Sequence, residues 1–171
     1  MLGGLSATVD PIQLADKGAR LSGRVPLEAM ARLKAQLADD QGDIDVDLAF
    51  ERSEGANLRR MHGRVVAHVH VTCQRCLEAM RIEISATPDT ILLRSGDPDP
   101  GLPPDADVLT VAAAPMPVAE LIEEELLLAL PMVPMHELDE CPARRYIANA
   151  SGSEQRKHPF AGLVRGKQDD E

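Results

Sequence analysis

The stretch that decides the fold is VHVTCQRCLEAMRIEI, residues 69–84, where two cysteines separated by two residues stand between two alternating segments. In the preceding residues 63–72, every second side chain is apolar, and the alternation resumes at residues 82–86. Successive side chains of a strand point to opposite faces, so this period of two predicts one strand on each side. The sequence therefore predicts a β-hairpin with CQRC at its tip.

The rest of the sequence predicts two helices and further strands. Residues 43–50, DIDVDLAF, alternate strictly, and residues 108–112 favour a short strand. Apolar residues recur at helical spacing in residues 26–38 and 117–130, and each of these segments starts at a proline. We therefore expect an α+β fold, a curved antiparallel sheet with the CxxC-tipped hairpin, packed by two amphipathic helices.

The length of 171 residues indicates one domain. We place this α+β domain at residues 1–145. We expect a flexible, partly disordered C-terminal tail at residues 146–171, where most residues are small or polar. One segment of that tail, HPFAGLV at residues 158–164, is apolar enough to dock on another surface.

Composition excludes several classes of protein. Trp is absent and only three residues are aromatic, which removes the stacking platforms used to bind single-stranded nucleic acid. The N-terminus has neither the basic segment nor the apolar run of a secretory signal, and three cysteines cannot all pair, so we expect a cytoplasmic protein. No apolar run is long enough to span a membrane.

Charge is distributed unevenly along the chain, whose net charge is −10. Residues 51–82 carry six basic and three acidic residues, whereas residues 97–140 carry eleven acidic residues and no Lys or Arg. Solvated faces would explain these blocks, but so would a basic region that meets a polyanion and an acidic region that meets a basic partner.

The cysteines admit more than one chemistry. Two cysteines at a hairpin tip can direct both sulfurs at one point, and Cys141 with His136 would complete a tetrahedral site. The set Cys73, Cys76, His136 and Cys141 is therefore a candidate structural zinc site, and the alternative is reduced cysteines in a turn. A redox dithiol is disfavoured because a strand, rather than a helix, follows CQRC.

Motifs of hydrolytic or phosphate-loop enzymes are absent, so we expect neither an enzyme nor a small-molecule substrate. Candidate RNA contacts are the arginines on and beside the hairpin, because guanidinium groups suit phosphate. They are Arg59, Arg60, Arg64, Arg75 and Arg81. Candidate contacts to a protein partner are Glu120, Glu123 and Glu124, predicted to point away from the core, and Phe160 of the tail.

Three segments in order carry a resemblance to a known family. They are VTCQRCLEAM, then VAELIEEELLLALPMVPMHELDEC, then a tail with KHPFAGL, and the similarity reaches the N-terminal DPIQLADKGARLSGRVPL. Together they resemble the bacterial YceD family, called large ribosomal RNA subunit accumulation proteins. The family's motif positions fall on Cys73, Arg75, Cys76, Leu77, Glu123, Glu125, Leu130, Pro131, Pro134, His136, Pro159 and Phe160. His158 stands where the family usually has Asn, and Gly162 interrupts the apolar segment.

The resemblance implies a cytoplasmic, non-enzymatic factor needed for accumulation of 23S rRNA and hence for the large ribosomal subunit. The partners expected are 23S rRNA or its precursor and a basic ribosomal protein. A second interpretation is an interaction or holding module for a basic ribosomal protein that makes no RNA contact.

Overall fold

The structure is a computed structural model that describes residues 8–53, 58–98, 101–112 and 114–146. The tail from residue 147 and its segment 158–164 lie outside the described residues. In chain order the elements are β1 (Thr8–Val9), α1 (Pro11–Asp16), β2 (Arg20–Val25), a 3-10 turn (Leu27–Ala29), α2 (Ala31–Lys34), β3 (Gly42–Arg52), β4 (Arg59–Thr72), β5 (Ala79–Ala86), β6 (Asp89–Arg94), β7 (Val108–Val111), β8 (Met116–Pro117) and α3 (Val118–Ala129).

One mixed sheet organises the described part of the chain, with strand order β2, β3, β4, β6, β7. Strand β4 is long enough to pair twice along one edge, with β6 through residues 59–62 and with β5 through residues 65–72. All of these pairs are antiparallel except β6 with β7, whose longer connection allows them to run in the same direction. The predicted α+β class and mainly antiparallel sheet are confirmed.

The core lies on one face of this sheet. Its residues are the apolar members of the alternating segments, including Ile44, Leu48, Phe50, Val65, Ala67, Val69 and Ile84, which are all nearly inaccessible to solvent. Helices α1 and α3 contribute Ile12, Ala15, Ile122 and Leu126 to the same cluster. The opposite face of the sheet carries the polar members of each strand.

The predicted continuous helix over residues 26–38 is wrong. The segment forms the 3-10 turn and the four-residue helix α2, and Met30 between them has φ −118° and ψ 78°, outside the helical region. Leu27, Met30 and Leu33 are nevertheless buried. The spacing correctly indicated a buried face, but the burial of Met30 is achieved by a break in the helix. Helix α3, in contrast, fills most of the predicted segment 117–130.

Gly63 lies where β4 changes its pairing partner. A Cβ atom at this position would stand 2.1 Å from the carbonyl oxygen of Asp47 in β3 and 2.9 Å from the Cα of Leu48. The amide of Gly63 donates a hydrogen bond of 3.1 Å to the carbonyl of Pro88, which lies between β5 and β6. Glycine therefore allows the close backbone approach that the junction of four strands requires.

Candidate metal centre

The connection between β4 and β5 is a compact turn of residues 73–78. The last ladder pair is Thr72 with Ala79, and the Cys73 amide then donates to the Glu78 carbonyl at 2.9 Å. The Leu77 amide donates to the Cys73 carbonyl at 2.9 Å, and Leu77 has φ +64°. These bonds fold the CQRC segment back on itself, so that both cysteine side chains lie at one end of the hairpin.

A second segment, residues 131–141, returns from the end of α3 to this turn. The Gln74 amide donates to the Pro134 carbonyl at 2.8 Å, and the His136 amide donates to Cys73 Sγ at 3.4 Å. A guanidinium nitrogen of Arg75 lies 3.4 Å from the His136 carbonyl. The hairpin tip therefore holds the segment that carries the other two candidate ligands.

The structure brings the four predicted ligands together. One ligand atom from each of Cys73, Cys76, His136 and Cys141 lies within 4.8 Å of the others, and Cys76 Sγ is 3.4 Å from His136 Nδ1. Cys73 and Cys141 are buried, and the other two residues are half-buried. Three sulfurs and one imidazole nitrogen in a closed arrangement match the donor sets of tetrahedral structural metal sites, so this cluster could hold a metal ion.

The pKa values of the Cys73 and Cys76 thiols are shifted in opposite directions. Burial of Cys73 opposes its ionisation, but backbone N–H groups of Cys76, His136 and Arg75 donate to its sulfur and lower its pKa to about 5. Burial raises the pKa of the Cys76 thiol, and the neighbouring sulfurs of Cys73 and Cys141 raise it further. The surroundings thus favour one thiolate in the cluster, and a cation would favour the loss of further protons.

The candidate RNA-contacting arginines fall into two groups. Arg59 pairs with Asp16 of α1 at 2.8 Å on the covered face of the sheet, and Arg60 pairs with Asp89 on the outer face. These hydrogen bonds raise the pKa of both guanidinium groups and lower the pKa of both carboxyl groups. Two of the five predicted arginines therefore already have carboxylate partners.

The other three arginines lie towards the hairpin. Arg64 and Arg81 are exposed and stand in register with Asp47 and His70, and Arg75 lies half-buried in the turn. Within the described part of the chain, none of Arg64, Arg75 and Arg81 has a carboxylate within 4.0 Å. Arg75 instead contacts the His136 carbonyl and, at 3.6 Å, Met135 Sδ.

The candidate partner-binding acids differ in exposure. Glu120 and Glu124 face solvent as predicted, but the prediction is wrong for Glu123, which is 8% exposed. Its carboxylate accepts hydrogen bonds from the amides of Arg32 and Leu33, at 2.8 and 3.1 Å, and from Arg32 Nε at 3.2 Å. It therefore satisfies the free N–H groups at the start of α2. Phe160 lies outside the described residues.

Sequence reasoning missed this role of Glu123 because helical spacing alone cannot identify its binding partners. Position 123 directly follows the buried Leu121 and Ile122, at the border of the apolar face of α3, and that border was the available signal. A groove between α2, the end of β4 and the segment after α3 was also missed, since it is formed by residues far apart in the sequence.

None of the helices in the described ranges is long and apolar enough to cross a membrane.

Comparison with known proteins adds two findings. The sequence model of the family "Large ribosomal RNA subunit accumulation protein YceD" matches residues 61–165, which include the hairpin, α3 and all four cluster residues. A protein of Haemophilus influenzae with the same name is 28% identical over 169 residues, covering 96% of this chain and 97% of the relative. No solved structure matches.

Proposed function

Because this chain belongs to the YceD family, we propose that it is a non-enzymatic, cytoplasmic factor needed for accumulation of 23S rRNA and for assembly of the large ribosomal subunit. The family match carries this proposal, since it spans more than half of the chain, and the relative with the same name aligns over nearly its whole length.

RNA contact is assigned to Arg64, Arg75 and Arg81. Their guanidinium groups lack carboxylate partners within the described residues, so phosphate oxygens can take those positions at little cost. The protein is acidic overall, with a pI of about 4.9, which favours a local contact over a broad electrostatic footprint. The scarcity of aromatic residues favours folded RNA, which is recognised by shape and backbone.

We assign zinc to the cluster of Cys73, Cys76, His136 and Cys141. The donor set is rich in sulfur and leaves no protein ligand missing, which is typical of structural rather than catalytic zinc. An ion there would tie residues 131–141 to the hairpin and hold Arg75 in place. Metal analysis of protein purified without chelator should give one zinc ion per chain, and zinc far below that ratio would contradict the assignment.

Crosslinking in cells followed by sequencing of the bound RNA tests the RNA contact. The variant Arg75→Gln with Arg81→Gln should lose rRNA crosslinks while its circular dichroism spectrum remains unchanged. The matched control is Arg20→Gln with Arg24→Gln, which removes the same charge from the edge strand β2, where both guanidinium groups are already paired with carboxylates. Normal levels of 23S rRNA after depletion of the protein would contradict the proposal as a whole.

The second candidate is an interaction or holding module for a basic ribosomal protein. It is favoured by the exposed Glu120 and Glu124 and by the absence of Lys and Arg from residues 97–140. Under this alternative, the Arg75/Arg81 variant would restore 23S rRNA levels fully in depleted cells. Copurification of a basic ribosomal protein should then weaken in a Glu120→Gln, Glu124→Gln variant.

A further inference from the structure

An uncharged groove of about 620 Å³ lies beside the metal cluster. Three parts of the chain form it, namely the residues after α2, the end of β4 with Gln74, and the segment that follows α3. Its apolar lining residues are Ala35, Leu37, Val71, Leu127, Leu130, Pro131, Met132 and Pro134. Its size falls within the range of sites that bury most of a ligand.

Two neighbouring apolar side chains at this groove are exposed to solvent. Met132, in its lining, is 98% exposed, and the adjacent Val133 is 58% exposed. Contiguous exposed apolar surface beside polar residues usually marks a binding site. The groove therefore has the character of a surface that binds apolar side chains.

The chain segments that form and flank the groove are acidic in sequence. The segments that line and flank it are residues 31–40, 70–78 and 118–141, which carry ten acidic residues and three basic ones. Two of those basic residues, Arg32 and Lys34, are paired with carboxylates. The occupant that complements this surface is an apolar segment flanked by positive charge.

The chain itself contains such a segment. Residues 156–167, RKHPFAGLVRGK, place Phe160, Leu163 and Val164 between two pairs of basic residues and include no acidic residue. Outside it, the undescribed C-terminal residues 147–155 and 168–171 contain Ile147 as their only large apolar side chain. The apolar content and charge of residues 156–167 thus match the groove and its rim.

The chain between Tyr146 and Phe160 is long enough for residues 156–167 to reach the groove. The groove includes Gln74, next to Cys73, and Cys141 meets Cys73 in the cluster. Phe160 lies fourteen positions after Tyr146, the last described residue, and an extended chain of that length spans up to about 50 Å. A compact domain of this size has a radius of gyration of only about 15 Å.

We propose that residues 156–167 bind within their own chain to the groove between α2, β4 and the segment after α3, with Phe160 and Leu163 in the groove and the basic pairs against its acidic rim. This contact goes beyond the proposed ribosomal role and does not depend on it. A basic partner of the acidic region would have to displace the segment.

Zero-length carbodiimide crosslinking of the full-length protein tests this contact, because it joins lysine amines to carboxylates that touch them. Lys157 and Lys167 should link to carboxylates of the segments that line and flank the groove, such as Asp39, Asp40, Glu124 and Glu137. The yield should fall at least about ten-fold in Phe160→Ala with Leu163→Ala, which removes two buried apolar side chains. Tyr146→Ser, at a 65% exposed position outside the segment, should leave it unchanged.

A second pair of variants tests the groove from the other side. Met132→Lys places a positive charge in the groove at a solvent-exposed position and should reduce the same crosslinks, whereas Val133→Lys, which adds the same charge outside the groove lining, should reduce them much less. Absence of these links, or equal yields in all variants, would overturn the proposal. Links between isotopically heavy and light chains in a mixture would also overturn it, because they would identify a second copy as the occupant.

Discussion

Arginines near the two ends of strand β4 are in opposite situations. At the β6 end, Arg59 and Arg60 are paired with Asp16 and Asp89, and the chain is held by ladder bonds and ion pairs. At the β5 end, Arg75 and Arg81 have no carboxylate within ion-pair distance among the described residues, and the chain is held by a cluster of sulfur and imidazole groups. A count of basic residues along the sequence does not distinguish the two ends. The presence or absence of a carboxylate partner determines which guanidinium groups are available to phosphate.

The largest effect is expected at the hairpin tip. Cys141→Ser removes a buried cluster ligand, so the protein should lose zinc and the free energy of unfolding should fall by several kcal/mol, because binding energy of a structural metal is folding energy. Metal analysis and thermal unfolding measure the two quantities. Gln74→Ser, within the same turn, should retain the ion. Unchanged melting temperature and zinc content in Cys141→Ser would refute the role of the cluster.

The next largest effect is expected at Gly63, where β4 changes its pairing partner. Gly63→Ala places a methyl group against the Asp47 carbonyl and the Leu48 Cα, both backbone atoms that can move only with their strand. We expect a loss of about 1–3 kcal/mol in chemical denaturation, the usual cost of forcing a group into packed space. Gly96→Ala is the control, since a Cβ there meets no atom within 4 Å, although its φ of +92° adds local strain. Equal stability of Gly63→Ala and wild type would mean that β3 and β4 can shift enough at this point to accommodate a methyl group without cost.

Paired and unpaired arginines should respond differently to substitution. Arg81→Gln should weaken RNA binding by about 1–3 kcal/mol without changing stability, because it removes charge-assisted contacts to phosphate only. Arg59→Gln should leave RNA binding unchanged and lower stability by about 1 kcal/mol, the upper end of the range measured for exposed ion pairs, because this pair is only partly exposed. Filter binding and urea unfolding separate the two outcomes, and a larger RNA effect for Arg59 would reverse the comparison.

The contribution of the Arg59 pair should also depend on pH. The hydrogen bond from Arg59 lowers the pKa of Asp16 in the folded state, so the pair stabilises the fold above the unfolded value of about 3.9. This contribution is lost as pH falls through the lower folded-state pKa. The stability difference between wild type and Arg59→Gln should therefore shrink on acidification, and a difference that grows instead would contradict the pairing.

The smallest effect should come from Asp89→Asn, which releases Arg60 from its main partner. If free guanidinium groups determine RNA affinity, this variant should bind RNA more tightly by at most about 1 kcal/mol, or about five-fold. Asp45→Asn, which releases Arg24 on the distant strand β2, is the matched control. A loss of affinity in Asp89→Asn would show that Arg60 is not a potential contact.

Strict alternation made the main strands and their buried face predictable, because side chains of period two must separate onto two faces of a sheet. The four cluster residues could also be named from the sequence, because two cysteines at a hairpin tip can direct both sulfurs at one point, and His136 and Cys141 were the candidates to complete the set. The break at Met30 was not predictable, because an apolar spacing of three fits both an α-helix and a 3-10 turn. Ion pairs such as Arg59 with Asp16 of α1 depend on which elements pack together, and the local sequence does not encode that.

The position of Cys141 in the chain has a consequence for biosynthesis. The ribosome adds Cys141 sixty-five residues after Cys76, an interval of roughly 3 to 13 seconds at ordinary elongation rates. During that interval the nascent hairpin displays two thiols without the rest of their coordination sphere. An ion bound by this cluster would lack two of its four donors until His136 and Cys141 are synthesised, so the site could be completed only after residue 141 is added.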